Sequence, residues 1–310
     1  MGKASRTKVE STRREKIAAQ RAAERRAEKR KRILLASGSV VVVLAVVLVF
    51  VIVKLNTGKP SPSPSAQGLS NGPTGSALTA VVDKVTSVPA SALNAVGNGS
   101  GSVTSIPKSV SGSTLTENGK PEMFYMGAEY CPYCAAERWA MIVALSRFGT
   151  FKGLATVHSA VQNGAGEAEP DPDTPTWTFV HATYSSPYLS FTPVEIQTNI
   201  PDTSTGTYTT LQTPTKAQQA IVDKYDGSTG PIPFVDFGNH YIISGVSYDP
   251  GVLDGLSWST IATDLSNPNS SVAKAVLGTA NYITAAICKM TGNQPASACT
   301  STVRALESQI

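Results

Sequence analysis

The chain has 310 residues, 41% of them hydrophobic and 15% charged, with a formal net charge of +4; length alone allows two domains. That charge sums two opposite regions: residues 1–32 hold 13 Lys/Arg against 4 Glu, a net of +9, leaving 13 basic against 18 acidic residues, a net of −5, for the rest. An argument from overall charge to nucleic-acid binding therefore fails, and no nucleic acid is expected as a partner.

Residues 1–32 form a basic segment, expected in the cytoplasm. Its stretch from residue 9 is rich in Ala, Glu, Arg and Lys, with Glu10 and Arg14 paired at helical spacing, and reads as a solvated helix. It serves either as a polybasic segment for anionic lipid headgroups or as a topogenic flank. Ile33 to Val53 is a run of 21 residues without a charge. At about 1.5 Å per residue it crosses a hydrocarbon core of about 30 Å, so residues 33–55 are expected to be an uncleaved, single-pass signal-anchor. The cluster Arg25, Arg26, Lys29, Arg30, Lys31 and Arg32, against Lys54 and Lys59 beyond the span, puts the N-terminus inside and the remainder outside the cytoplasm. Residues 56–76 are a Pro/Ser/Gly-rich linker. Residues 77–115 are a lead-in that packs on the main domain, with Leu78, Val81, Val82 and Val85 at helical spacing.

Residues 116–310 are expected to be an α/β domain. Glu122 to Met126 reads as a buried strand, followed by the cysteine turn. From Pro132, residues Ala135, Ala136, Trp139, Ile142 and Val143 give an apolar helical face, with Glu137, Arg138 and Arg147 falling elsewhere. Leu154 to Val161 is predicted to return parallel to the first strand. An insertion of about 160–212 follows. It contains an acidic loop with Glu167, Glu169, Asp171 and Asp173, which lacks the glycine and terminal glutamate of a calcium loop. It also contains two extended segments, Trp177 to His181 and Tyr188 to Gln197, that either roof the site or extend the sheet. A helix from Thr213 to about Asp226, a strand over Ile232 to Phe237, a Gly238-Asn239 turn and a return over Tyr241 to Gly245 come next. Trp258 to Leu265 and Ser270 to Lys289 read as helices.

The chemistry concentrates in Cys131-Pro132-Tyr133-Cys134. A cysteine at a helix start, beside unpaired backbone N–H groups, is a stabilised thiolate and a nucleophile. A second cysteine one turn on can resolve the mixed disulfide that the first one forms. The alternatives are a fixed local disulfide, or half of a zinc site completed by Cys288 and Cys299. Cys288 and Cys299 are read as a structural disulfide, with a shuttle pair as the sharper alternative. Glu129 is the nearest candidate to deprotonate Cys134; the competing reading is a solvated loop glutamate. His158, His181 and His240 show no ligand spacing, and neither metal nor cofactor is expected.

The order strand, Cys-Pro-Tyr-Cys, helix, strand, then helix, Ile-Pro, strand, hairpin and helix resembles the thioredoxin superfamily, and the tetrapeptide is similar to that of glutaredoxins. The combination Gly127 to Ala140, Ser146 to Phe151, Ile232-Pro233-Phe234 and Ala286-Ile287-Cys288 resembles more closely the thioredoxin-like "domain of unknown function 929" family, over roughly residues 80–303. The resemblance implies a thioredoxin-like fold with added C-terminal helices. It also implies that Pro233 matches the cis-proline facing the dithiol, and that Ile232 pairs with a bound substrate chain beside Pro132 and Tyr133. The expected function is thiol-disulfide exchange on cysteine-containing extracytoplasmic proteins or a redox partner. The alternative is a non-catalytic binding module for an envelope protein.

Overall fold

A computed structural model describes residues 70–310, and the basic segment, the expected anchor at 33–55 and most of the linker lie outside the described residues. Among the described residues no helix is long and apolar enough to cross a membrane. The lead-in forms helices α1 (Gly75–Thr86) and α2 (Ala90–Val96). Short strands β1 (Lys108–Ser109) and β2 (Thr116–Glu117) precede β3 (Lys120–Gly127), which runs directly into α3 (Pro132–Leu145). Then come β4 (Thr150–Lys152), β5 (Ala155–His158), β6 (Pro175–Thr178), β7 (Thr183–Ser185), β8 (Ser190–Glu195), β9 (Gln197–Asp202) and β10 (Thr207–Thr210). Helix α4 (Lys216–Asp226) leads to the hairpin β11 (Phe234–Phe237) and β12 (Tyr241–Ser244). A 3-10 turn (Pro250–Leu253), α5 (Trp258–Asp264), α6 (Ser271–Met290) and α7 (Ser301–Leu306) complete the domain.

The main sheet is mixed. Strand β3 is its centre, parallel to β8 on one side and antiparallel to β11 on the other, with β12 and then β1 beyond. Both faces of β3 are covered, so its sequence is a continuous apolar run rather than an alternating one. Met123 and Tyr125 join the large core built on α3 and α6, while Phe124 and Met126 join a smaller core with Val222 of α4. The three-residue loop between β11 and β12 uses Gly238 and Asn239, both at positive φ (67° and 61°), the left-handed backbone that a tight hairpin turn needs. Helix α4 starts on a reciprocal capping box between Thr215 and Gln218, which fixes its entry from the preceding loop.

Two expectations are corrected. The segment Leu154 to Val161 does form a strand, β5, but it pairs antiparallel with β6 in a separate two-stranded sheet. The parallel return to β3 is made by β8, inside the stretch read as an insertion, with Glu122 opposite Ser190 and Gly127 opposite Glu195. The reason lies in β6, which the sequence places in a loop-rich region: Thr176 donates through Oγ1 to the Ala135 carbonyl at 2.7 Å, and Trp139 Nε1 donates to the Pro175 carbonyl at 2.8 Å. These bonds hold β5 and β6 over α3, leaving the edge of β3 free for β8. The second correction concerns Glu137 and Arg138, expected away from the apolar face. Both are fully buried, because α3 has no solvated face; of its residues only Tyr133 is exposed.

Candidate active site

The end of β3 and the start of α3 deliver the two cysteines. Cys131 is the N-cap of α3, in extended backbone, and its Sγ accepts the Cys134 amide N–H at 3.3 Å. Sulfur thus occupies the place usually taken by a serine or aspartate oxygen, facing the positive end of the helix. Proline at the first helical position needs no N–H partner. Both cysteines are free thiols and buried, Cys131 with 4% of its surface exposed and Cys134 with none. Ala128, Tyr130, Ile196 and Ile232 pack around them.

The loop before β11 closes the site from the other side. The Ile232-Pro233 peptide is cis, and the Ile232 carbonyl stands 3.7 Å from Cys131 Sγ. Ile232 and Pro233 are therefore brought to the dithiol, as is Tyr133, which is 38% exposed beside the nucleophile, while Pro132 is buried beneath it. Tyr130 stacks on Tyr208 of β10, ring centroids 4.1 Å apart and nearly parallel, and Tyr208 donates its hydroxyl to Glu169 at 2.5 Å.

The two sulfurs are driven apart in acidity. Burial pushes the Cys131 thiol up, but hydrogen bonds from the Cys134 thiol and amide, the nearby Arg138 charge and the Tyr133 amide outweigh it and hold Cys131 below the ordinary thiol value. Burial, the hydrogen bond to Cys131 and the charge on that sulfur push Cys134 well up, against Arg138 and the Ala128 amide. The two sulfurs are thus unequal, Cys131 being the more acidic thiol and Cys134 the less acidic one.

Glu129 is buried, which removes the solvated-loop reading, and its amide N–H donates to the Gln197 carbonyl at 2.9 Å. Sequence reasoning missed Arg138 and Glu195. The Arg138 guanidinium is fully buried and bound by Glu195 of β8 through Nε at 2.9 Å and Nη2 at 2.6 Å, and Nη2 also donates to the Ala128 carbonyl at 2.6 Å. The available signal was its position four residues after Cys134, on the same side of a helix. Glu137 was also missed; it accepts from the Ser247 amide at 2.9 Å and the Ser247 hydroxyl at 3.0 Å.

Cys288 and Cys299 are joined in a disulfide, so neither can complete a zinc site with the first pair. Among the described residues no cluster of three or more His, Cys, Asp or Glu side chains could hold a metal ion.

Residues 107–289, from just before β1 to near the end of α6, match the family described as "Domain of unknown function (DUF929)". The chain belongs to this family. The matched stretch contains the dithiol, Arg138, Glu195 and the Ile232-Pro233 turn, whereas α1, α2, α7 and Cys299 lie outside it. No curated protein and no solved structure matches the chain.

Proposed function

We propose that this member of the family is a membrane-anchored, extracytoplasmic thiol-disulfide oxidoreductase with a thioredoxin-like core. The observation that carries the reading is the pair of unequal sulfurs: Cys131 caps α3 with its Sγ against the Cys134 amide and lies opposite the Ile232 carbonyl. The strand order β8-β3-β11-β12, with a parallel first pair and an antiparallel hairpin, supports the thioredoxin-like core that the sequence resemblance implies. The anchor expected at Ile33 to Val53 supports the location, since disulfides persist outside the cytoplasm.

In the reducing direction the Cys131 thiolate attacks one sulfur of a client disulfide. A bond forms between Cys131 and that sulfur, and the other client sulfur leaves as a thiolate. Cys134 then attacks the Cys131 sulfur, closing the internal disulfide, and the second client sulfur leaves with the Cys134 proton. Run backwards, the same steps donate a disulfide. Ile232 and Pro233 shape the groove in which the client sulfur lies, and Glu129 is the carboxyl nearest in sequence to the nucleophile.

A Cys134→Ala variant of the full-length chain is expected to accumulate mixed disulfides with client proteins through Cys131, seen as thiol-sensitive adducts on non-reducing gels. A second reading, a binding module with a silent dithiol, is favoured by the burial of Cys131. Alkylation separates the two: a Cys131 that stays unlabelled after full reduction as well as before it sinks the enzyme reading.

A further inference from the structure

Behind the dithiol, two buried hydrogen-bond donors have no acceptor. Arg138 uses Nε and Nη2 on Glu195 and the Ala128 carbonyl, but Nη1 has no partner among the described residues. The Tyr125 hydroxyl, on β3, is equally without one. Buried donors left unmatched are rare enough to need a cause. Both belong to one cluster, with the Arg138 guanidinium carbon 5.9 Å from the centre of the Tyr125 ring.

That cluster abuts Cys134. A Cβ built on Gly127 would collide with the Tyr125 hydroxyl and lie 3.0 Å from Cys134 Sγ, so the missing side chain at Gly127 lets the hydroxyl and the sulfur crowd the same small space. Ala128 joins the two sides, its carbonyl accepting from Arg138 at 2.6 Å while the residue packs in one buried cluster with Cys131 and Cys134. Arg138 follows Cys134 by one helical turn, which sets both side chains on one side of α3.

Building on the exchange function proposed above, we propose that Arg138 is a positioning residue for the resolving step: its guanidinium, held by Glu195, is a fixed buried cation that stabilises the negative charge appearing on Cys134 as that sulfur attacks the mixed disulfide. The Tyr125 hydroxyl and Arg138 Nη1 are the donors that charge calls for. In this step the Cys134 S–H bond breaks, the Cys131–Cys134 bond forms, the bond from Cys131 to the client sulfur breaks, and the client sulfur takes the proton. The mixed disulfide is itself the oxidant, so no further reagent is required. In the low dielectric behind the dithiol a fixed charge acts more strongly than in water.

The test uses the full-length chain, reduced, with bis-hydroxyethyl disulfide as the small disulfide, acid quenching, and mass spectrometry to follow the hydroxyethylthio adduct on Cys131. Glu195→Gln leaves the Arg138 charge uncompensated and is expected to shorten the adduct lifetime by about tenfold, the equivalent of one pKa unit at Cys134. The double variant Arg138→Met/Glu195→Leu removes the cation without stranding a buried carboxylate and is expected to lengthen the lifetime by about tenfold. A purely structural ion pair would move both in the same direction, or neither, and either result overturns the proposal. If the double variant does not fold, as judged by its thermal transition, Glu195→Gln alone decides, an unchanged or longer lifetime being fatal. No adduct on Cys131 in the wild-type chain or in Cys134→Ala overturns the exchange function itself, and the role of Arg138 with it. An adduct that forms normally but resolves independently of Arg138 removes only the latter.

Discussion

Glu137 carries an acid into the centre of α3, where it accepts from the amide and hydroxyl of Ser247. Burial raises its pKa from 4.5 to about 7, against the two bonds from Ser247. Because the folded state holds the proton more tightly than the unfolded chain, this group stabilises the fold fully below about pH 4.5 and loses that contribution as pH rises through 7. Asp236, raised from 3.8 to about 6 chiefly by burial, acts with the same sign. A Glu137→Gln variant can keep both Ser247 bonds and never ionises. It is expected to match the wild type near pH 4.5 and to exceed its stability at about pH 8 by about 3 kcal/mol. Urea titrations at the two pH values check this, and equal stabilities at the higher one would refute it. At this scale Cys131 and Cys134 were legible in the sequence because their chemistry is tied to a short local spacing, whereas Pro233 was implied only by the family resemblance. Arg138 and Glu195 were not, because their pairing spans 57 positions and a lone arginine on a helix reads as solvated.

Between elements, the longest reach of covalent chemistry is the Cys288–Cys299 bond, which ties the last turn of α6 to the loop before α7. Arg147, just beyond the end of α3, donates to the Ala298 carbonyl at 2.7 Å and to Thr284 of α6 at 3.3 Å. The loop therefore braces the far end of the dithiol helix while remaining at the opposite terminus from Cys131. Cys288→Ala is expected to cost roughly 3 kcal/mol of stability through the lost loop constraint and to leave the Cys131/Cys134 reduction potential unchanged. A shifted potential would point to a shuttle instead. The helices and the hairpin after Pro233 were readable from periodicity and turn residues. The parallel partner of β3 was not, since pairing is non-local: β5 offers the right pattern first in the chain, but it pairs with β6, which is bonded to Ala135 and Trp139 of α3.

At the level of the whole molecule, residues on both sides of the family match complete one core. Val81, Val85, Leu93 and Val96 before it, and Val303 and Leu306 after it, share the buried cluster with α3 and α6. Asn281 of α6 fastens the lead-in by donating to the carbonyls of Leu93 and Gly97. A fragment cut to residues 107–289 is expected to lose its cooperative thermal transition, whereas residues 70–310 retain it; a cooperative transition in the shorter fragment would show that the flanks are dispensable. The basic segment and the uncharged run at Ile33 to Val53 set a separate expectation. The full chain should stay in the membrane pellet after alkaline carbonate washing, and deletion of 33–53 should release it; release of the intact chain would refute the anchor.

The absence of a solvated face on α3, with every residue but Tyr133 buried, also governs time. Amide hydrogens along Ala135 to Leu145 have no private route to water, so they escape only when the surrounding core opens as a unit. Their exchange should be among the slowest in the domain and should track its global opening, leaving sulfur chemistry at Cys131 to run at the edge of a helix that hardly breathes.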